Sequence, residues 1–387
     1  MRAVDWSLLA EGGAHVVLQP SATSPFRGRV LRLRKRPRQG QAGPERDEEV
    51  ALEFARLVVE RLLSPNLCAR LEPVAVGADF LSELAERIEP HRSAQRRAVD
   101  EVDTTRLTAV LADDLVGSLP GRSVLSVEIK PKWGFLPATD HLSPASRAIK
   151  ARHCRFCLHD YLRATRVPAV HRYCPLDLYS SDPARVERAV EALWDRWMDS
   201  QGGTNNLRIF LDGRKLRPTE LDDRSALASR LGVDASALPS AFAAHIASAL
   251  LASPMLRRLA ELQRTLDPLD IEGLDGRYAA EHGQALEDAE DVGPEATVAE
   301  LEAIAERFDP ATATLRELEL AYILSASFKD CSIFVRMVEG APAVVKAVDV
   351  DMKQLAKLPA YARLDRSIRE AGLAAGPDVL PLCISPS

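Results

Sequence analysis

The sequence predicts an α+β protein of two lobes, a small N-terminal one and a larger, mixed and helix-rich one. Three observations lead there. At 387 residues the chain exceeds what one hydrophobic core usually serves, so two cores are expected. Strand-like runs with β-branched and alternating content open the chain and return beyond residue 120. Aromatics make up only 5%, while Ala and Leu are abundant, which favours a helical body. The hydrophobic and charged fractions, 46% and 27%, are those of an ordinary folded protein.

In order along the chain, AHVVLQP and GRVLRLRK read as strands joined by the turn-rich SATSPFRG. A helix led by acids follows near Arg46–Leu63, with Val50, Phe54, Leu57, Val58 and Leu62 at helical spacing. Leu107–Leu111 reads as a strand entering a connector at Asp113 and Asp114. The lobe boundary is expected there, giving lobes of residues 1–114 and 115–387. In the second lobe Ser123–Ile129 is a strand and Ala145–Arg166 mostly helix. Asp182 caps a helix that has Pro183 at its first position and runs to Asp199. NNLRIFLDGRKL is a strand closed by a turn at Asp212-Gly213. Helices dominate from Asp222 to Leu324, one of them opened by the capping box Thr297/Glu300. Cys331–Val338 and Ala343–Val350, separated by Glu339-Gly340, form a hairpin, and a short helix starts near Pro359.

Composition narrows the function. MRAVDWSLLAEGG lacks the apolar stretch of a signal peptide. The most apolar window, Leu238–Leu256, is interrupted by His245, Pro239 and Pro254 and reads as a buried Ala-rich helix, not a membrane span. Six cysteines, scattered along the chain, do not make a secreted disulfide framework. A soluble, intracellular protein is therefore expected. The net charge of −6 disfavours bulk nucleic-acid affinity, yet basic residues are concentrated. FRGRVLRLRKRPR (Phe26–Arg38) carries seven and no acid, and Arg147–Arg172 carries seven with three His and only Asp160. Such runs are usually solvated faces or, for the first, a localisation signal. With further motifs they suit a compact polyanion.

Two segments supply such motifs. EGGAHVVL (Glu11–Leu18) puts two glycines before a strand, where backbone N–H groups can approach a phosphate; alone it is only a turn. EIKPKWGFLP (Glu128–Pro137) is more specific. Pro131 stiffens the exit from an apolar strand, and alternation along an extended segment would aim Lys130 and Lys132 at one anion. Asp349 and Asp351, read as strand residues two apart, would point the same way and suit magnesium.

EIKPK matches the hallmark motif of the inositol-pentakisphosphate 2-kinase family, and the resemblance is not confined to it. EGGAHVVL resembles that family's glycine-rich nucleotide loop. RFCLHDYLR (Arg155–Arg163), CPLDLYS (Cys174–Ser180), NNLRIFLDG (Asn205–Gly213), SFKDCSIFVR (Ser327–Arg336) and VKAVDVDMK (Val345–Lys353) resemble further family motifs. They occur in family order from residue 11 to about 370.

The resemblance implies a two-lobed kinase-like fold and transfer of phosphate from ATP, with Mg2+, to the 2-hydroxyl of inositol pentakisphosphate, giving the hexakisphosphate (phytate). It implies that Gly12, Gly13, Ala14 and His15 line the ATP phosphates, although the family usually carries Asn at the position of His15. Arg32 takes the place of a phosphate-binding lysine, and Asp113 and Asp114 fall where the connector touches adenine. Glu128 and Lys130 face the nucleotide, as does Arg208, and Lys130 joins Asp330, the catalytic base, in the catalytic set. Lys132, His159, Arg163, Asn205, Lys353, Lys357 and Tyr361 match substrate contacts. Arg92, with Arg96 as alternative, is the small-lobe arginine that clamps substrate. Asp349 holds magnesium, with Asp351 beside it. A monomer acting on ATP and inositol pentakisphosphate in nucleus or cytoplasm is expected, without membrane or nucleic-acid partners.

Cys154, Cys157, His171 and Cys174 have spacings that fit zinc. The family counterparts include apolar cysteines without metal, so packed thiols and no structural zinc are expected. Some plant members carry a separate zinc site of two His and two Cys in the later helical region. Residues 250–320 here hold only His282 and no cysteine, so that site is missing. Among rival readings, the Pro-x-x-x-Asp-x-Lys-x-Gly signature of inositol-phosphate multikinases is absent. So are the His-Arg-Asp, Asp-Phe-Gly and Val-Ala-Ile-Lys elements of protein kinases. A zinc-and-basic-patch nucleic-acid binder is the alternative of another class, and Asp330 and Asp349 speak against it.

Overall fold

A computed structural model describes residues 1–38, 48–164, 173–376 and 382–386. The chain forms two compact units, one of Met1–Leu52 with Ala69–Pro120, the other of Glu53–Cys68 with Gly121–Ser387. Each has its own antiparallel sheet and its own apolar core.

The smaller unit is built on β1 (Trp6–Glu11), β2 (His15–Pro20), β3 (Arg29–Pro37), β4 (Leu71–Ala75), β5 (Asp100–Val102) and β6 (Thr108–Asp113), in the order β1-β2-β3-β6-β4 with β5 on β3. Strand β1 was not anticipated, since WSLLAE alternates weakly; its pairing with β2 is what makes Gly12–Ala14 a hairpin loop. Alternation buries Val16 and Leu18 of β2 and Leu31 and Leu33 of β3 against Trp6 and the helix Ala78–Ile88. That helix turns Leu81, Leu84 and Ile88 inward.

In the larger unit β7 (Val124–Ile129), β8 (Leu207–Leu211), β9 (Arg214–Lys215), β10 (Ser332–Val338) and β11 (Val344–Val348) run in the order β11-β10-β7-β8-β9. Every residue of β7 is buried, as a central strand requires. Both expected turns form. Asp212 and Gly213 take φ of +50° and +85°, the left-handed pair of a two-residue hairpin, and Gly340 at +69° closes β10–β11. Around the sheet pack helices including Pro183–Asp199, Leu238–Leu251, Met255–Thr265, Asp270–His282, Val298–Arg307 and Leu315–Lys329. The Thr297/Glu300 capping box is present, and Thr314/Glu317 adds a second. Among the described residues no single helix is long and apolar enough to cross a membrane.

Four expectations need correction. The run expected from Arg46, which itself lies outside the described residues, is helical over Glu48–Phe54 and Glu60–Leu63 but widens to a π-turn over Ala55–Val59. Most of it belongs to the larger unit, because Phe54, Val58, Val59, Leu62 and Leu63 bury in that core. Ala145–Arg166 is two helices, Pro144–Lys150 and Arg155–Ala164, broken just before Cys154, and Arg166 lies outside the described residues. The last helix is long, Leu358–Ala375, and starts one residue before Pro359 with Leu358 already helical at φ −54° and ψ −45°.

Candidate functional site

Within the smaller unit the loop Gly12-Gly13-Ala14 is exposed and closed by the Gly12 N–H donating to the His15 carbonyl at 2.9 Å. Its root is fixed by Glu11, which accepts from Lys35 at 3.1 Å and Arg92 at 2.7 Å. On β3, Arg32 reaches within 3.4 Å of His15 Nδ1, and His15 Nε2 lies 3.2 Å from Glu48. The cation expected at the phosphates thus stands beside the loop. Asp113 and Asp114 shape the chain after β6. Asp113 accepts from the Arg70 N–H at 2.9 Å, and Asp114 from the Val116 and Gly117 N–H groups at 3.1 and 2.7 Å.

Arg92 does not fit the role of substrate clamp. Its side chain is fully enclosed, held by Glu11, Glu89 and Asp100, so its donors serve the fold. Arg96, only half-buried, lines a pocket of this unit with Trp6, Glu11, Arg87 and His91 and is the better candidate.

In the larger unit β7 ends at Ile129, and Lys132 follows in the left-handed region at φ +64°. Lys130 and Lys132 therefore do not share a side by strand alternation: the segment is a shaped loop, not a strand. What shapes it is Gln263, fully buried on Met255–Thr265. Its Nε2 donates to the carbonyls of Lys132 and Phe328, both at 3.0 Å, and its Oε1 accepts from the Gly134 N–H at 2.8 Å. Gly134 must be glycine, because a Cβ there would stand 2.7 Å from the Tyr179 ring. Asn206 fixes Lys130 through both backbone groups, at 3.1 and 3.3 Å.

So held, Lys132 Nζ lies 3.3 Å from Asp330, and Lys353 Nζ lies 3.0 Å from its other oxygen. Burial alone would raise the Asp330 carboxyl, but Lys353 and Lys132 outweigh it and hold the group below the usual carboxylate range. Asp330 is ionised at neutral pH. Burial lowers Lys132 despite Asp330, with Lys130 adding repulsion. The buried Cys331 thiol is pushed up to about 12, chiefly by burial, and feels Lys130, Lys132, Asp330 and Asp349 around it. His159 is pushed down to about 4, first by burial and then by Arg163 and Arg155, so it is a neutral donor, not a cation. Tyr361 sits where Lys353 and Asp330 both act on it. Segments distant in sequence thus bring Lys130, Lys132, His159, Arg163, Asp330, Asp349, Lys353 and Tyr361 into one electrostatic neighbourhood.

Other expected residues stand differently. Glu128 and Arg208 are cross-strand partners of each other at 2.9 Å, with Ser332 also donating to Glu128. Asn205 and Lys357 are exposed, Lys357 at the start of the last helix. Asp349 takes φ +55° just past β11, so Asp349 and Asp351 are not strand residues and do not share a face by strand alternation. Both remain exposed, and one or two carboxylates completed by substrate phosphates suit magnesium. Sequence reasoning missed Gln263, Asn206 and Lys329. Lys329 is buried on Asp267 at 2.5 Å, with its ammonium 4.0 Å over the Trp133 ring, so it ties the SFKDC segment to EIKPKWG. A glutamine on the apolar face of Leu256, Leu259 and Leu262 was the one available signal.

The model of the family described as inositol-pentakisphosphate 2-kinase matches residues 9–367. The chain belongs to the inositol-pentakisphosphate 2-kinase family. It is 31% identical to the inositol-pentakisphosphate 2-kinase of Cryptococcus neoformans, over 94% of this chain and 92% of that protein. It is 26% identical to the Arabidopsis thaliana protein of the same name, over 95% and 92%. The zebrafish (Danio rerio) protein of that name matches at 29% over 54% of this chain and 43% of its own. Within the inositol-pentakisphosphate 2-kinase family frame, the chain is a kinase, and the Lys132–Asp330–Lys353 cluster belongs to two of its motif segments and the residue that ends a third.

Proposed function

We propose that this kinase transfers the γ-phosphate of ATP to the axial 2-hydroxyl of inositol 1,3,4,5,6-pentakisphosphate, producing the hexakisphosphate. The observation that carries the reading is Asp330, ionised and flanked by two ammonium groups. Phosphoryl transfer needs positioning, neutralisation of charge and a carboxylate at the attacking hydroxyl. An acceptor with five phosphates would draw Lys132 and Lys353 toward itself. Asp330, relieved of its counter-ions, becomes a stronger base as the substrate seats.

His159, neutral, donates one hydrogen bond, while Arg163, Asn205, Lys357, Tyr361 and Arg96 supply further contacts. Gly12, Gly13, Ala14, His15 and Arg32 take the nucleotide phosphates. Glu128, Lys130 and Arg208 serve the nucleotide, with Asp113 and Asp114 at adenine. Asp349, helped by Asp351, would hold magnesium, which neutralises charge on the transferring phosphate. The chain acts as a monomer in nucleus or cytoplasm, without membrane or nucleic-acid partners; its net charge of −6 supports the last point.

Labelled ATP offered with a panel of inositol phosphates tests this. Magnesium-dependent labelling of the pentakisphosphate, yielding the hexakisphosphate, is expected. Folded protein that labels other acceptors but not this one would overturn the substrate, and labelling of none would overturn the reading.

A further inference from the structure

The larger unit holds a buried ionic network that the proposed reaction does not use. Lys150, the last residue of Pro144–Lys150, lies 2.6 Å from Asp270, 2.7 Å from Asp365 and 3.3 Å from Glu272. Arg155 also donates to Asp365, and Arg369 lies 3.3 Å from Glu272. Three cations thus meet three carboxylates, and Lys150, Asp270 and Asp365 are almost wholly buried. Asp270 holds its place at φ +61°, a backbone that aspartate visits more readily than most residues. The cysteines whose spacing suggested zinc take no part in the network, and His171, the histidine of that set, lies outside the described residues.

Asp365 is where the network reaches the segments expected to hold substrate. It lies on Leu358–Ala375 four residues after Tyr361, so the two are neighbours on one helix face. Its partner Arg155 opens Arg155–Ala164, and His159 and Arg163 follow on the same face at four and eight residues. The Arg155 guanidinium also lies 5.1 Å from the centroid of the Trp133 ring, within cation–π reach, and Trp133 adjoins Lys132. Lys329, adjoining Asp330, stands 4.0 Å from the same ring. We infer that Asp365 is a positioning residue for the acceptor: by holding Arg155 against Trp133 it sets the helix of His159 and Arg163, the loop of Lys132 and the helix of Tyr361 in mutual register. The inference rests on those residues binding the pentakisphosphate, as proposed above. Stability alone does not account for the network. Burying ions costs desolvation that their attraction offsets only in good geometry, and apolar side chains of similar volume are often as stable. Apolar packing is already present between these helices. Ile149, Leu158 and Ile368 bury together, and Gly372 brings the last helix close, since a Cβ there would stand 3.1 Å from Ile149 and 3.2 Å from Leu158. Such contact is non-directional. A carboxylate shared by Lys150 and Arg155 has direction, and it fixes each helix along and around its axis. Phosphoryl transfer depends on that kind of placement, since a shift of about 1 Å can cost on the order of 10²-fold in rate.

Steady-state kinetics of the full-length protein, with each substrate varied separately, test this. Asp365→Asn keeps the shape and removes the charge; it should raise KM for the pentakisphosphate about tenfold and leave KM for ATP unaltered. Arg155→Gln should do the same, and the double variant should be no worse than either single, because the pair acts as one unit. Asp223→Asn is the control. It takes an equally buried carboxylate from its pair with Arg214, and should lower the urea midpoint without moving either KM. Folded Asp365→Asn with both constants at wild-type values, equal rises in both, or losses that add in the double variant would overturn the inference. If Asp365→Asn does not fold, Arg155→Gln alone decides by the same split between the two constants. Wild type that leaves the pentakisphosphate unphosphorylated would overturn the reading of function, and this inference with it.

Discussion

The carboxylate of Asp330 accepts from Lys132 at 3.3 Å and Lys353 at 3.0 Å, and a polyphosphate reaching these lysines competes with it. Asp330→Ala should lower kcat on the order of 10²–10⁴-fold and leave nucleotide affinity nearly unchanged, by rapid-quench kinetics and nucleotide titration. Lys353→Ala should instead raise KM for the pentakisphosphate, at a cost of about 1.5–3 kcal/mol for a charge-assisted contact, with KM for ATP unaltered. Equal rises in both constants would point to a folding defect. His159 adds a pH dependence. Its pKa, lowered from 6.5 to about 4, lets the unfolded chain bind the extra proton, so its contribution to stability is complete above pH 6.5 and lost as pH falls toward 4. Urea unfolding at several pH values should show the wild type losing more stability than His159→Gln across that window; parallel curves would refute it. At this scale the motif segments identified most of these residues, but not their conformations. The left-handed backbone of Lys132 goes with a carbonyl held by Gln263 and Tyr179, and strain of that kind, on the order of 1–3 kcal/mol, persists where the surroundings over-determine it.

Among elements, Met255–Thr265 has an effect out of proportion to its length, because Gln263 bonds two separate motif loops. Gln263→Leu would leave the Gly134 N–H without its acceptor, and the Lys132 and Phe328 carbonyls with only Tyr179 Oη and Cys331 Sγ as donors. Each buried group left unmade costs about 1–3 kcal/mol. A clear drop in the urea midpoint is expected, with turnover reduced further at temperatures where the variant is still folded; normal turnover in folded variant would remove Gln263 from the positioning role. Elements set by local chemistry were legible: the Asp212-Gly213 and Glu339-Gly340 turns, the Asp182 cap and the Thr297 capping box. The π-turn at Ala55–Val59 and the break before Cys154 were not, since both answer to partners far along the chain. Arg92 makes the same point, because nothing near it in sequence announces that Glu11 and Asp100 enclose it.

For the molecule as a whole, the two-lobed α+β architecture followed from length, composition and the motif order; the boundary was expected at Asp114, and the second segment of the smaller unit ends at Pro120. Sequence contiguity hid the exception, Glu53–Cys68, which leaves the smaller unit and joins the larger. Cys68 bridges Ala347, and its carbonyl accepts from Lys346 at 3.0 Å. This has a consequence for biosynthesis. At roughly 5–20 residues per second, the ribosome needs on the order of tens of seconds to travel from Cys68 to β11. Through that interval Phe54, Val58, Val59, Leu62 and Leu63 have no finished core to enter, although the strands on either side of them can already pair. The nascent chain carries a sticky helix inside a folding N-terminal domain, and that interval is when chaperones would find it.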